Sequence, residues 1–534
     1  MSEQIVLTEI EAYNLATNTV ETLRFCTGLA YRTRPSETPA NALYRPFLKD
    51  PGWSRIDVFS KPGQYGHNTP GEVTLYDDSG TLGRLLKGYA FDGRSIVQRI
   101  GQRGATYPSG YVVTINGSMT GAPIFSRTQI TFHPADLTEA LNKTLQTVRY
   151  AGTNALPLGV EGVDDIKGKV KPIVLALGSN MLPVQVNTSK QIYQASIAVG
   201  GVAVTIAAVR DKGVPLTAGA AYTDMADMIA NAPGAGTYRV LSNTTDGCFF
   251  RLYTPPSGQI TCDAVYGTTT AQRTHAQVWQ RLLLLAGVSG GAISSADVTA
   301  LDTAIAGEIE YVLMDETTSI DAVRAVADSV GAAWYGDASG VHRLKQWTAP
   351  SGSPVATLTN LRTDSIEIAD PVGTGEVAPA YLVTLEWGRN WTKQEDSALA
   401  GDKTVNTDTV RAPGSRAWVI ARAWLARDYR TVSATDTAVK TPHPNAVEIK
   451  MTSMLASESD AQTFVNAQLA LYKVNRDMLK LTQYLSPAQI DAVRVGAVVS
   501  VVDDRWDYAS GKLMRAAGVM VDRMTGKTEL TLWG

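Results

Sequence analysis

The chain has 534 residues, is 44% hydrophobic and 19% charged, and carries 48 basic and 51 acidic residues for a net charge of -3. That composition is globular rather than disordered, and at roughly 100–200 residues per domain it implies three or four domains. Near-neutrality without a basic block argues against wrapping nucleic acid. The start, MSEQIVLTEIEAYN, lacks a basic n-region and an apolar core, so no secretory signal is expected. No apolar run reaches 18 residues, and RLLLLAGV is far too short to span a bilayer.

The first part reads as short strands. Val73 and Leu75 alternate with Thr74 and Tyr76 ahead of the turn Asp77-Asp78-Ser79-Gly80, and further runs surround Ile96, Val112 to Ile115 and Ile130 to Phe132. Leu137, Leu141, Leu145 and Val148 then recur at helical spacing, with Asp136 near the start, which predicts a short helix over about 136–149. A Gly- and Pro-punctuated connection leads to a second β-rich stretch ending near 267, in which Ile260, Cys262 and Ala264 share a face and Met225 to Ala230 forms one helical turn.

From 270 the period changes. Val278 to Leu285, Val298 to Ile309, and Ile320 to Val330 predict three helices, the last capped by Thr318 and Asp321. A hairpin follows through Trp334, the turn Asp337-Ala338-Ser339-Gly340, and His342 and Leu344. Beyond 355 strands return, with Val383, Leu385 and Trp387 on one face, a helix near 458–476, and two closing strands in VGAVVSVVDD and TELTLWG. The fold class is thus mainly β with an α+β insertion, a multidomain chain with β-barrels or sandwiches at both ends. The expected domains are 1–150, β-rich with a short C-terminal helix; 151–267, β-rich; 268–350, the helical insertion ending in a hairpin; and 351–534, a β-barrel with one helix.

Catalytic patterns are weak. Gly287-Val288-Ser289-Gly290-Gly291 fits GxSxG, but a nucleophile elbow needs a strand before the serine, and here a helix precedes it. A glycine-rich helix exit is the plainer reading. Gly162 to Gly168-Lys169 is one residue too long for a phosphate loop and has Val170 where Ser or Thr should stand. His67, His133, His275, His342 and His443 show no metal-ligand spacing. Asp77-Asp78, Asp164-Asp165 and Asp503-Asp504 read as turn residues. Cys26, Cys248 and Cys262 lack CxxC pairing and read as buried thiols, the alternative being one disulfide between Cys248 and Cys262. Ten tryptophans and 21 tyrosines are scattered without a local cluster. We therefore assign no catalytic, cofactor-binding or metal residues, and expect no cofactor.

Three stretches carry a likeness. KVKPIVLALGSNMLPVQVN with QIYQASIA, holding Lys171-Pro172, Gly178-Ser179-Asn180-Met181-Leu182-Pro183 and Tyr193-Gln194, resembles a segment of baseplate hub and tail-tip proteins of long-tailed (siphophage-like) bacteriophages and gene-transfer agents. IDAVRAVADSVGAAWYGDASGVHRL resembles their helix-to-hairpin unit. TLEWGRNWTKQ, with Asn390-Trp391-Thr392, and the closing stretch to Leu532-Trp533-Gly534 are similar to their C-terminal hub barrel. The resemblance covers roughly 90–534.

It implies a non-enzymatic structural subunit that forms a ring, often a homotrimer, closing the tail tube and adapting its symmetry through two related barrels. Implied partners are other copies of the chain, the tube or distal-tail protein, and central-fibre or receptor-binding proteins. DNA would pass through the lumen without specific binding, helped by an acidic lining. The implied location is the virion tail tip, assembled in the host cytoplasm. Some relatives hold a cysteine-ligated iron–sulfur cluster, which the three scattered cysteines here do not match. Alternatives are a hexameric distal-tail ring, a receptor- or glycan-binding tail protein, and a hydrolase using Ser289.

Overall fold

A computed structural model describes residues 4–57, 67–135, 138, 141–359, 363–369, 379–400 and 422–534. The chain is mainly β and multidomain, as its period-two runs predict. The N-terminal part pairs strands in the order Tyr111–Ser118, Ser95–Gln102, Gln4–Asn14 and Thr19–Cys26. This sheet faces a second one made of Ile124–Phe125, Gln129–Phe132, Val73–Tyr76 and Leu48–Asp50. Val6, Ile10, Ile96 and Ile100 from one sheet meet Leu75, Ile130 and Phe132 from the other. Val73–Tyr76 buries Val73 and Leu75 and turns Thr74 and Tyr76 outward, the expected alternation.

The second β-rich part is also two sheets. One holds Leu177–Met181, Ile260–Tyr266 and Val204–Asp211; the other holds Ile192–Ser196, Gly247–Leu252 and Thr237–Asn243. Cys262, Val209, Phe250 and Tyr193 fill the space between them. Ile260–Tyr266 is buried on both faces rather than one, because Val265 packs outward against Leu177 and Ala456.

Helices His275–Leu285, Ser295–Ala304 and Ser319–Asp328 follow, each opened by a Thr or Ser whose side chain accepts from the backbone N–H three residues on. The second helix ends at Ala304, so Ile305 and Ile309 lie beyond it as buried extended chain. Trp279, Leu283, Val323, Val326 and Trp334 centre the largest core. Val383, Leu385 and Trp387 of strand Ala380–Trp387, and Phe464 and Val465 of helix Glu458–Tyr472, enter the same core.

The helix expected over 136–149 is not present where the chain is described. Leu137 lies outside the described residues, and 141–149 carries no α-helix. Its backbone is committed elsewhere: Leu145 N–H donates to Thr317 O, and Val148 O accepts from Lys171 N–H. Thr144 and Arg149 bridge to Thr318 and Val170. The helical spacing is a coincidence of an extended segment whose Leu141 reaches the central core while Val148 stays exposed.

Among the described residues, the closing part of the chain builds an eight-stranded sheet around strand Lys512–Asp522. The expected strands are there as Val498–Val502 and Lys527–Trp533, and the sequence reading missed Lys512–Asp522 between them. This strand changes partner along its length. Residues 512–515 pair with Val498–Val501, and residues 518–522 pair with Trp53–Asp57 from the start of the chain. Gly518 sits at the crossover, where a Cβ would lie 2.2 Å from Asp57 Oδ1. The sheets therefore cut across the four sequence ranges, with Trp53–Asp57 and His67–Pro70 completing the C-terminal sheet.

The lender strand leaves and returns through tight glycines. Gly52 has φ +72° and a Cβ there would lie 2.2 Å from Glu72 O, while Gly71 packs against Trp53. We expect Gly52→Ala to be destabilising by roughly 1–3 kcal/mol, since it forces a left-handed Ala against a backbone carbonyl. Limited proteolysis should show faster cleavage near 50–72 in that variant than in the parent. Leu283→Ala, at a fully buried helix position, should cost about 2–5 kcal/mol in denaturant unfolding.

Candidate functional site: a buried polar joint

Strand Leu177–Met181 carries a register shift between Gly178 and Met181, and Asn180 sits inside it with φ 55°. Asparagine tolerates this left-handed conformation better than most residues. The shift directs two consecutive residues to polar partners. Ser179 donates from N–H (3.0 Å) and Oγ (2.6 Å) to the Glu310 carboxylate, and Asn180 N–H donates to Asp263 Oδ1 at 2.8 Å. Asp263 also receives both ends of the Arg210 guanidinium, and both side chains are buried. The carboxylate thus has a cation and a backbone donor, which is what a buried charge requires.

The Asn180 side chain reaches across the chain. Its Nδ2 donates to Asn390 Oδ1 (2.9 Å) and Thr392 O (2.8 Å). Asn390 Nδ2 in turn faces the carbonyls of Trp424, Leu425 and Arg427 at 2.9 to 3.3 Å. Trp391 N–H donates to Ser179 O, and Trp424 Nε1 to Gly388 O. The two words Gly178-Ser179-Asn180 and Asn390-Trp391-Thr392, about 210 residues apart, form one hydrogen-bonded joint. The sequence singled out both and gave no sign that they touch.

The chain is similar to phage tail proteins. One is the 43 kDa tail protein of prophage MuSo2 from Shewanella oneidensis, at 8% identity and TM-score 0.41, covering 99% of this chain and 98% of that one. Another is the tail protein of Neisseria meningitidis, at 12% identity and TM-score 0.38, covering 92% and 93%. A chain of the native gene transfer agent virion aligns at 14% identity and TM-score 0.35, covering 69% and 79%. No protein-family profile and no curated protein sequence matches.

A second polar cluster fixes the hairpin Ala332–Gly336 and His342–Gln346. Asp337 Oδ1 accepts from the backbone N–H groups of Ser339 and Val341 and from Ser339 Oγ, closing the turn that the sequence predicts. Its Oδ2 takes Arg343 Nε at 2.7 Å and lies 3.6 Å from Arg494 of the C-terminal sheet. Burial raises the Asp337 pKa, but Ser339, Arg343 and Val341 outweigh it and hold the carboxyl below its ordinary range. Asp297 meets Arg343 and Lys345 from the second helix of the insertion.

The tyrosines that look scattered in sequence gather on the outer face of the N-terminal sheet. Tyr31, Tyr44, Tyr107 and Tyr111 form a closed ring with neighbouring centroids 5.9 to 6.0 Å apart. Tyr44 OH donates to Glu9, which also meets Arg24 and Arg99. Burial raises the Glu9 pKa, and Tyr44, Arg99 and Arg24 more than offset it, so the carboxyl sits below its usual range. Pairing across loops far apart in sequence hides such a cluster from a linear reading.

The other singled-out residues stay apart. Ser289 follows a helix and precedes the 3-10 turn Gly290–Ala292, so no strand leads into it. Asp77 accepts from the N–H groups of Leu82 and Gly83 at a helix start. Asp164, Asp165 and Asp504 are exposed loop residues. Gly168 is a left-handed turn residue whose N–H bonds Tyr150 O. Cys26, Cys248 and Cys262 are buried and form no disulfide, and burial pushes the Cys248 and Cys262 thiols up. Among the described residues no three His, Cys, Asp or Glu side chains group as metal ligands. No helix among them is long and apolar enough to cross a membrane.

His275 lies wholly inside the central helical core, and neither ring nitrogen has a partner. Burial lowers its pKa to about 3. His342 accepts from Trp334 Nε1, and burial lowers its pKa to about 4, with Asp337 opposing. Between these values and 6.5 the unfolded chain binds more protons than the folded one. Stability is therefore complete above about pH 6.5 and lost as pH falls toward 4. His275→Leu removes an unsatisfied polar ring and one of the two groups. At pH 5 this relieves about 2 kcal/mol of proton-linked destabilisation, from about 1.4 kcal/mol per pH unit. We expect the variant to gain on the parent as pH drops, read by urea unfolding at pH 7.5 and pH 5.

For the joint itself, Asn390→Leu removes the hydrogen-bond partner of Arg427 O and of the Thr392 N–H, while Trp424 O keeps Arg427 N–H and Leu425 O keeps Gln394 N–H. A loss on the order of 2 kcal/mol is expected at about 1 kcal/mol per orphaned group, with hydrogen exchange accelerating first at 388–394 and 424–428.

Proposed function

We propose that this protein is a non-enzymatic structural subunit of a phage-like tail, acting as the baseplate hub at the tail tip. The observation that carries this reading is the joint. The segments that resemble tail-tip proteins are spent on holding parts of the chain together, and not on presenting a nucleophile, acid–base pair or ligand set. Asn180 and Asn390 lock the second β-rich part to the loop after strand Ala380–Trp387. The closing stretch supplies strands to a sheet that also captures Trp53–Asp57. A frame cross-braced in this way suits a part whose work is geometric.

In this reading the ranges 1–150, 151–267, 268–350 and 351–534 are the chain's domains, with the first lending a strand pair to the last. Copies of the chain form a homotrimeric ring that closes the tail tube and adapts its symmetry. The ring holds the distal-tail protein on one side and central-fibre or receptor-binding proteins on the other. DNA crosses the lumen without specific contacts. The subunit assembles in the host cytoplasm and resides in the virion.

Cryo-electron microscopy of tails containing the protein tests this. A three-fold ring at the distal end is the expected result. A six-fold ring would assign the chain to the distal-tail position, and absence from the tail would end the proposal.

A further inference from the structure

The molecule carries two exposed surfaces of different character. The first stands on the tyrosine ring. Strands Tyr31–Arg32 and Leu43–Tyr44 pair so that Tyr31 faces Tyr44 and Arg32 faces Leu43. The tyrosines point into the ring, which leaves Arg32, Leu43 and, two residues on, Arg45 exposed. Leu29 beside them is 73% exposed. The loops are firmly mounted: Arg103 donates to Leu29 O and Ala30 O, and Arg34 to Gly104 O. Glu37, the one carboxylate of these loops, is turned inward and accepts from the N–H groups of Arg34 and Tyr107. The outward face is therefore basic and apolar.

The second surface is the turn before strand Lys512–Asp522. Trp506 is half exposed at 50% and has φ 55°. A bulky side chain in the left-handed region is a genuine outlier, of the sort that marks functional positions. Here the strain presents an indole to solvent. Asp504 and Asp507 flank it in sequence and are exposed, Asp507 at 74% beside Lys512, and Asp477 accepts from Tyr508 OH and Lys512 at the foot of the turn. The tip is acidic and aromatic.

One chain cannot bring these surfaces together along this strand. Trp506 lies before residue 512, and the strand pairs with the N-terminal part only at 518–522. Its 11 residues span about 33 Å at about 3.3 Å per residue. Two different, complementary patches that one chain does not join to each other suit a head-to-tail contact between identical chains, which forms a ring where the rotation closes.

We propose that a second copy of this chain docks here, with the Trp506 turn of one copy seated on the Arg32–Leu43–Arg45 face of the next. Trp506 is the anchor, packing on Leu43 and Leu29 with an arginine over its ring, and Asp504 and Asp507 meet the remaining arginines. This rests on the ring reading above and adds to it the surface that makes the ring.

Light scattering and sedimentation of the full chain over a concentration series, at low and high salt, test it. The parent is expected to self-associate, and more weakly at high salt. Trp506→Gly relieves the left-handed backbone, so its unfolding midpoint should not fall, yet its association should weaken at least about thirtyfold, the lower bound of a hot-spot loss. Arg32→Glu with Arg45→Glu should weaken it similarly. Adding Asp504→Arg and Asp507→Arg to the same chain should restore it, because each interface then pairs the reversed charges. A parent that stays monomeric, or an oligomer indifferent to these substitutions, overturns the contact. Either result leaves the hub reading to be decided separately by the symmetry seen in tails.

Discussion

Everything in this chain depends on satisfying backbone and side-chain polar groups where separate β units meet. A strand whose ends are buried against another unit cannot leave its carbonyls to water, so each must find a donor within the protein. Asn390 answers for three such carbonyls at once, and Asn180 in turn holds Asn390 in place. Asp263 does the same for Arg210 and for the displaced N–H of Asn180. An apolar seam of equal area would attract as strongly, but it would not choose one register. Hydrogen-bonded groups with fixed directions do, which is the role best attested for buried polar contacts.

The same economy appears in strand Lys512–Asp522. One long strand templates two different partners in succession, and the change of partner happens where Gly518 leaves room for Asp57. The N-terminal part is thereby fastened to the C-terminal sheet through a ladder of backbone hydrogen bonds. Arg523, just beyond the strand, is fully buried and donates to Pro51 O. Burial lowers its pKa to about 9. Asp50 and Asp522 oppose that shift without cancelling it, and the residue marks the point where the lending segment leaves its own sheet.

What could be read in the sequence follows from how local each signal is. Thr318 and Asp321 announced a helix start because capping acts over three residues, and the structure has Asp321 N–H bonded to Thr318 Oγ1. Asp337-Ala338-Ser339-Gly340 announced a turn for the same reason. The segment 141–149 misled because its leucine spacing mimics a helix while its backbone bonds run to Thr317 and Lys171, which no local window sees. The tyrosine ring and the Asn180–Asn390 bond were invisible on the same ground. The residues were present in plain view, and only the fold brings them together.

The distribution of order across the molecule bears on the proposed contact between copies. Its interior joints are polar and directional, whereas its outer features are apolar or charged residues on firmly braced loops. Leu29 and Leu43 are exposed above a fully packed ring of tyrosines, and Trp506 is held outward by a backbone conformation that an isolated loop would abandon. Bracing of this kind lowers the ordering entropy left to be lost on association, so more of the contact energy appears as affinity. A chain built for a solution ligand needs one preorganised concavity. Under the proposed contact between copies, preorganised protrusions such as Leu29, Leu43 and Trp506 take that part instead.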